Sequence, residues 1–436
     1  MRFLVALFTL LFSNYAFAIQ TINVTHGNFD PIPIAINNFA SSSSSEAAEV
    51  KKILEVITND LKSSGLFRPI PSAAFIENKV GTEHRPLFAA WRQINATVLV
   101  NGKVEKIGEG KFAISFILWD IISEKDIAGE VFEVPHKLWR RAAHKIADKI
   151  YERVTGDKGY FDTKIAYVSE SGQALKRTKR IAVMDQDGAN HTFLTDGKHT
   201  VLTPYFSPKG DKLLYLVYEH GRKPRVHMRN LRTGHDAILS NFPNMNFAPR
   251  FSPDGSSALI SVTQDGATNI MLMNLSTKRI TKLTHGSAIN TSPSYSPDGS
   301  KIVFNSDRNG TRQLYIMNAD GSDPQRISFG AGAYASPSWS PRGDYIAFVK
   351  QHAGDMSIGV MRTDGTGERL LTNGYIVDLP TWAPSGRVIM FMRENASVKK
   401  QRPKTGIYTI DITGYNEHQL KTPKDASDPD WSGILD

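Results

Sequence analysis

A seven-residue phrase returns along the chain at nearly even spacing: Pro, any residue, an aromatic, a small residue, Pro, any residue, Gly. No other sequence feature constrains the fold so tightly. It reads Pro204-Tyr205-Phe206-Ser207-Pro208-Lys209-Gly210, then PRFSPDG from Pro249, PSYSPDG from Pro293, PSWSPRG from Pro337 and PTWAPSG from Pro380. A shortened copy, Pro429-Asp430-Trp431-Ser432, follows. Successive copies begin 45, 44, 44, 43 and 49 residues apart. A period of roughly 40–50 residues with strand-forming content is that of a β-propeller blade.

Each copy divides into strands. In Ser-Pro-Asp-Gly the Ser opens a type I turn, Pro presets φ, Asp fits the third position and Gly the fourth, so two strands meet there. The strand behind the turn is a short apolar run: Leu213-Leu214-Tyr215-Leu216, Ala258-Leu259-Ile260, Ile302-Val303-Phe304, Ile346-Ala347-Phe348 and Val388-Ile389-Met390-Phe391. Such runs suit a strand covered on both faces. A second turn has His220-Gly221, Asp265-Gly266 or Asn309-Gly310 at its tip. A third strand, a third Gly turn (Asp187-Gly188, Asp320-Gly321 or Asp364-Gly365) and a polar outer strand such as 325–328 complete the unit.

The ends of the repeat region complement each other. Ile165-Ala166-Tyr167-Val168 is a second strand with no Pro-x-aromatic strand before it, and Pro429-Asp430-Trp431 is a first strand with no second strand behind it. Joined, they make one blade. The sequence therefore predicts six blades closed by the C-terminal strand, leaving only short, protected edges. The alternative, an open solenoid, leaves two half-blades unmatched.

The first eighteen residues read as a secretory leader. Arg2 gives a positive start, residues 3–12 are almost all apolar, and Ala16-Phe17-Ala18 has the small-x-small pattern that places cleavage between Ala18 and Ile19. The apolar stretch falls short of the roughly 20 residues a membrane span needs, so an N-terminal anchor is the weaker alternative. With no cysteine anywhere, thiol nucleophiles, zinc–thiolate sites, iron–sulfur clusters and a disulfide-stapled fold are excluded. The formal charge of +9 becomes +8 once Arg2 is removed. That balance is compatible with acidic partners or envelope surfaces; the basic residues are scattered, and nucleic acid is not expected as a partner.

Residues 19–157 lack the repeat and predict an α/β domain around a small mixed sheet, ahead of an all-β six-bladed propeller over 158–436 with WD40-like repeats. A helix over 46–63 places Val50, Ile53, Leu54, Ile57 and Leu61 on one face. Ser43 and Glu46 have capping-box spacing before it. Strand-like runs cover 96–100, 112–119 and 127–134, with Asn101-Gly102 marking the end of the first, and a second helix over 137–154 stops at Gly156. Residues 155–159 read as a hinge.

A search for chemistry yields little. The sequence lacks a G-x-S-x-G elbow, an H-E-x-x-H pair and a phosphate-binding Gly loop. The histidines are dispersed, most of them reading as turn or surface residues. The Asp of Ser-Pro-Asp-Gly occurs in two of the five complete copies while Pro and Gly occur in all, which favours turn geometry over catalysis. The expectation is no catalytic residue, no cofactor and no metal, with a channel ion held by several blades as an alternative. What remains is a binding platform made by the segments before each Pro-x-aromatic strand: 244–248, 288–291, 331–336 and 374–378. Ordinary connections are the competing reading. Repeated aromatics (Tyr205, Phe206, Phe251, Tyr295, Trp339, Trp382, Trp431) would suit a carbohydrate-binding propeller if exposed, but their strand position predicts burial between blades.

The domain order, Ile165-Ala166-Tyr167-Val168, Phe251-Ser252-Pro253-Asp254-Gly255, Asn290-Thr291 before Pro293 and the closing Pro429-Asp430-Trp431-Ser432 together resemble the TolB family, periplasmic propeller proteins of the Tol–Pal system. The resemblance spans the mature chain. It implies a non-enzymatic, monomeric protein that supports outer-membrane integrity and envelope constriction during division. It implies that the mouth binds Pal, the peptidoglycan-associated lipoprotein, through Asn244, Met245, Asn246, Phe247, Ala248, Asn290, Thr291, Ala335, Tyr375 and Asp378. It implies that the mature N-terminus, Ile19, Gln20, Thr21, Ile22, Asn23 and Val24, engages the C-terminal domain of TolA or packs back on the protein. Other outer-membrane or peptidoglycan-linked partners are compatible with it. One departure stands out: Met245 occupies a position where the family pattern has His, and Phe247 follows it. The class alternatives are a propeller hydrolase or lyase acting in the channel, and a peptidoglycan- or carbohydrate-binding propeller.

Overall fold

The computed structural model describes residues 30–77, 81–172, 176–240, 245–396 and 403–435. The leader, its cleavage point at Ala18 and Ile19, and the segment from Ile19 to Val24 lie outside these. The N-terminal sheet runs β1 (Ile32–Ile36), β2 (Ala40–Ser41), β3 (Phe67–Pro69), β4 (Val98–Lys106), β5 (Lys111–Asp120) and β6 (Lys125–Pro135). Its order is β3-β1-β4-β5-β6, with β2 also on β4. β1 is parallel to β3 and β4, while β4, β5 and β6 form an antiparallel meander. Alternation along β4 divides the two faces. Val98 and Val100 join the core under α1 (Ser44–Ser63) and α3 (Trp139–Thr155), whereas Leu99 packs with Trp91 of the short α2 (Phe88–Gln93).

Ser43 and Glu46 form the expected capping box: Ser43 Oγ accepts from the Glu46 N–H at 3.3 Å and Glu46 Oε2 from the Ser43 N–H at 2.9 Å. Such a cap contributes about 1 kcal/mol. Gly156 ends α3 with φ 77°, the left-handed conformation that favours glycine. One strand boundary differs from the expectation. Asn101-Gly102 does not end a strand but lies inside β4. A Cβ on Gly102 would stand 2.5 Å from the Phe39 ring, so this glycine serves close packing rather than a turn.

Six four-stranded antiparallel sheets follow. β7 (Lys164–Ser171), β8 (Thr178–Asp185) and β9 (Thr192–Phe193) form the first blade with Asp425–Trp431, which pairs with β7. The C-terminal strand therefore completes the ring as predicted. The innermost strands of blades two to six are Thr200–Phe206, Met245–Phe251, Asn290–Tyr295, Ala333–Trp339 and Ile376–Trp382. Hydrogen bonds link neighbours around the axis: Phe206 N–H to Asp430 at 2.8 Å, Trp339 N–H to Ser294 Oγ at 3.2 Å, Trp382 Nε1–H to Ser338 O at 3.0 Å. Phe206, Phe251, Trp382 and Trp431 are buried as their strand position predicts, whereas Tyr205, Tyr295 and Trp339 are half-buried.

The Ser-Pro-Asp-Gly turns close as read. Gly255, with φ 72°, donates to Ser252 O at 2.8 Å. Asp254 accepts from Ser252 Oγ and from Ser256, bonds that hold its carboxyl down at about 2. Its role is turn geometry.

The N-terminal domain sits on the face carrying these turns. Asp157 pairs with Arg342 at 2.7 Å and Arg387 at 3.8 Å from blades five and six, and Asn416 Nδ2 donates to Ser63 O at 2.7 Å. Tyr160 meets Tyr151 of α3 and Trp431 of the closing strand edge-on, at 5.6 and 5.7 Å. The stretch read as a hinge is thus tied to both domains, and one apolar cluster runs through the boundary.

Candidate functional site: the propeller mouth

Strands alternate in direction within a blade, so the opposite face carries the starts of the innermost strands and the turns between second and third strands. This is the mouth. The predicted binding segments prove to be largely strand rather than loop, because each innermost strand begins before its proline and bulges there. In blade four, Thr291 pairs with Asn305 and Ser294 with Val303, leaving two residues opposite one. Thr203, Ser292, Ser336, Leu379 and Asp428, each just before a Pro of the repeat, have φ between 48° and 56°. A non-glycine residue is strained in that region, and proline restricts its predecessor further. The proline therefore marks the bulge, not the start of the strand.

The predicted residues fall into distinct groups. Asn244 lies outside the described residues, and Met245, Asn246, Phe247 and Ala248 open the innermost strand of blade three. Asn290 is fully buried: its amide donates to Thr268 O at 3.1 Å and accepts from Arg308 Nη2 at 3.0 Å. Thr291 Oγ1 accepts from Asn305 Nδ2 at 2.7 Å. These two side chains shape the mouth from beneath. Asp378 joins blades five and six, accepting from Ser336 Oγ at 2.7 Å and from the Leu379 N–H at 2.6 Å. Desolvation raises its carboxyl above the usual range against the pull of those bonds and of Arg312. Ala335 is half-buried, and Tyr375 is 62% exposed.

Two exposed apolar side chains accompany Tyr375 on the connections between blades: Ile289, 42% exposed, and Phe329, 72% exposed. Arg326 stacks over Phe329 at 5.1 Å. Phe329 was not singled out by sequence because it stands alone before a Gly-rich connection, outside every periodic run. Arg308 lies over Phe304 and Tyr315 at 5.3 and 4.7 Å and holds the rim of blade four.

At the other end of the axis, all six innermost strands line a space of about 320 Å3. Arg250 bonds Tyr205 there, and the buried Asp430 accepts from Phe206 N–H at 2.8 Å and Thr381 Oγ1 at 3.4 Å. Burial pushes Asp430 up to about 7. Among the described residues, the grouping with metal-like spacing, His144, Asp185 and Asp187, lies between the domains instead. Its carboxylates already hold Arg140 and Lys164.

An α/β domain seated under a six-bladed ring, with Ile289, Phe329 and Tyr375 exposed on the opposite face, defines a two-domain propeller protein of the Ser-Pro-Asp-Gly repeat class. Two family models match it: the TolB beta propeller domain over residues 151–435 and the TolB amino-terminal domain over 20–127. The Tol-Pal system protein TolB of Rickettsia massiliae is 57% identical over 435 residues, covering 98% of each chain, and that of Rickettsia bellii is 56% identical with the same coverage. The crystal structure of TolB from Acinetobacter baumannii has a similar fold, with a TM-score of 0.83 at 24% identity over 93% of this chain and 97% of that one. The chain belongs to the TolB family. It is a non-enzymatic Tol–Pal system protein. TolB is periplasmic, and among the described residues no helix is long and apolar enough to cross a membrane.

Proposed function

We propose that this chain is exported to the periplasm by its first eighteen residues and there links Pal, held at the propeller mouth, to the C-terminal domain of TolA, held by the mature N-terminus from Ile19 to Val24. In this role it supports outer-membrane integrity and constriction of the envelope at division. The observation that carries the reading is the mouth itself. Ile289, Phe329 and Tyr375 are exposed on successive connections between blades, on the face away from the N-terminal domain. Exposed aromatic and aliphatic side chains, with Arg326 over Phe329, are residue types enriched in protein-binding surfaces. The β-branched residues of Thr21-Ile22-Asn23-Val24 suit recognition by strand addition to a sheet edge.

The test is calorimetric titration of the mature chain, residues 19–436, with the soluble domain of Pal from the same organism, and separately with the C-terminal domain of TolA. Saturable one-to-one binding of Pal that survives deletion of residues 19–24, with TolA binding lost in the same deletion, supports the reading. No Pal binding at tens of micromolar overturns it.

A further inference from the structure

His144 of α3 is 2% exposed and Asp60 of α1 is 1% exposed, and His144 Nδ1 lies 2.6 Å from Asp60 Oδ2. The pair sits at the contact with blade one: Gln186 Nε2, from the turn after β8, donates to Asp60 Oδ1 at 2.8 Å. Nε2 of His144 is buried and has no hydrogen-bond partner, while Asp185 and Asp187 of blade one offer carboxylate oxygens within 4.8 Å of a His144 ring nitrogen.

The charges around this ring decide what it does. Arg140, one helical turn before His144, bonds Asp187 and lies 3.5 Å from Asp185. Lys164 of β7 pairs with Asp185 at 3.0 Å. From blade six, His418 and Lys421 border the cavity of about 400 Å3 that Asp60, Arg140 and Asp187 also line. On the linker side, Asp148 accepts from the N–H groups of Phe161 and Asp162, and Asp162 pairs with Arg141. The charged groups of β6 are at the surface, where Glu130 pairs with Lys149 at 3.7 Å. Three carboxylates (Asp60, Asp185, Asp187) therefore face two fixed cations (Arg140, Lys164). One proton balances that cluster. A divalent cation would overshoot it and compete with Arg140.

We propose that His144 is a proton-operated fastener between the two domains. Protonated, it donates to Asp60 and turns its second N–H towards Asp187, holding α1 and α3 on blade one. Neutral, it leaves one buried carboxylate uncompensated and loosens that contact. The cavity beside Asp60 and Asp187 is the route by which the proton exchanges with solvent.

The direction of titration agrees. Burial alone pulls the ring down, but the charge and hydrogen bond of Asp60 and the charge of Asp187 outweigh it, and the net shift is upward. A histidine whose folded value exceeds the unfolded one, about 6.5, contributes stability that is fully present below the unfolded value. That stability is lost as pH rises through the folded value. Asp60, raised by desolvation, shifts in the same direction.

Hydrogen exchange of the full mature chain between pH 5.5 and 8.5, corrected for intrinsic rates, tests the proposal in peptides spanning 54–66 and 183–190. Protection should fall several-fold on the alkaline side in the native protein and clearly less in His144→Gln. Asp148 and Asp430 are intact in both proteins, so the difference isolates the ring. Equal pH dependence in the two would overturn the proposal. So would restoration of protection at pH 8.5 by one equivalent of Zn2+ in the native chain but not in the variant. If His144→Gln does not fold, carbon-13 labelling of the histidines in the native chain decides: a buried ring titrating at or below about 6.5 sinks the idea, and one titrating above it sustains it.

Discussion

The indole N–H of Trp431 donates to Thr163 Oγ1 at 2.8 Å, so the innermost strand of blade one is fastened to the residue that precedes β7. The two residues are 268 positions apart, and their bond closes the ring where the linker from the N-terminal domain enters it. Trp431→Ala should lower stability by about 3–5 kcal/mol, the usual cost of deleting a buried tryptophan. Trp431→Phe, which keeps a ring against Tyr160 but loses the donor, should cost less. Urea unfolding of the mature chain measures both. A loss below about 1 kcal/mol for the Ala variant would mean that the closing strand is held by its ladder alone.

Gly102 faces the ring of Phe39 so closely that any Cβ must displace it. Gly102→Ala is expected to destabilise the N-terminal domain by about 1–3 kcal/mol through overpacking. The double variant Gly102→Ala with Phe39→Leu should cost less than the two single effects added. Thermal unfolding of the four proteins provides the cycle.

Asp430 gives the propeller a pH dependence of its own. Its folded value of about 7 lies above the unfolded value of about 3.9. Its contribution to stability is therefore present below the unfolded value and is lost as pH rises through about 7. Asp430→Asn still accepts from the Phe206 N–H, so the fall in unfolding midpoint between pH 4.5 and 7.5 should be shallower in that variant. An unchanged slope would show that Asp430 does not titrate in this window.

Tyr375 and Phe329 stand out from the mouth and support little of the fold. Tyr375→Ala and Phe329→Ala should each weaken Pal binding at least about tenfold, as hot-spot aromatics do. Unfolding midpoints should hardly move, as is usual for exposed positions. Asn290→Asp is the contrasting case. It puts a charge on a fully buried amide that donates to Thr268 O, so it should destabilise blade four as well as weaken binding. Calorimetry and thermal melts on the same preparations separate the two effects.

The ring was legible because its signals are local and repeated. The Ser-Pro-Asp-Gly turns, the apolar second strands and the unmatched Pro429-Asp430-Trp431 each need only a few neighbouring residues to be read. The capping box of Ser43 and Glu46 is equally local. Gly102 misled because a glycine beside Asn reads as a turn until Phe39, 63 positions earlier, is seen against it. The prolines misled for a related reason: a bulge depends on the partner strand, which the proline does not report. At the mouth, Asn290 and Thr291 bond Arg308 and Asn305, partners on or just beyond the neighbouring strand that no local pattern reports, and Phe329 gave no periodic signal at all. His144 looked like one more scattered histidine. Its partners Asp60 and Gln186 lie on other elements, and no single-segment pattern joins them.

Because Asp425–Trp431 supplies the innermost strand of the blade that β7 begins, the propeller can be finished only by a chain that extends through Trp431. Any product cut short before Asp425 leaves β7 with an open edge of eight residues, exposed to pairing with whatever strand it meets. Closure thus makes the fate of the first blade depend on the last strand: with Asp425–Trp431 in place β7 is paired on both sides, and without it β7 stands unpaired on one side.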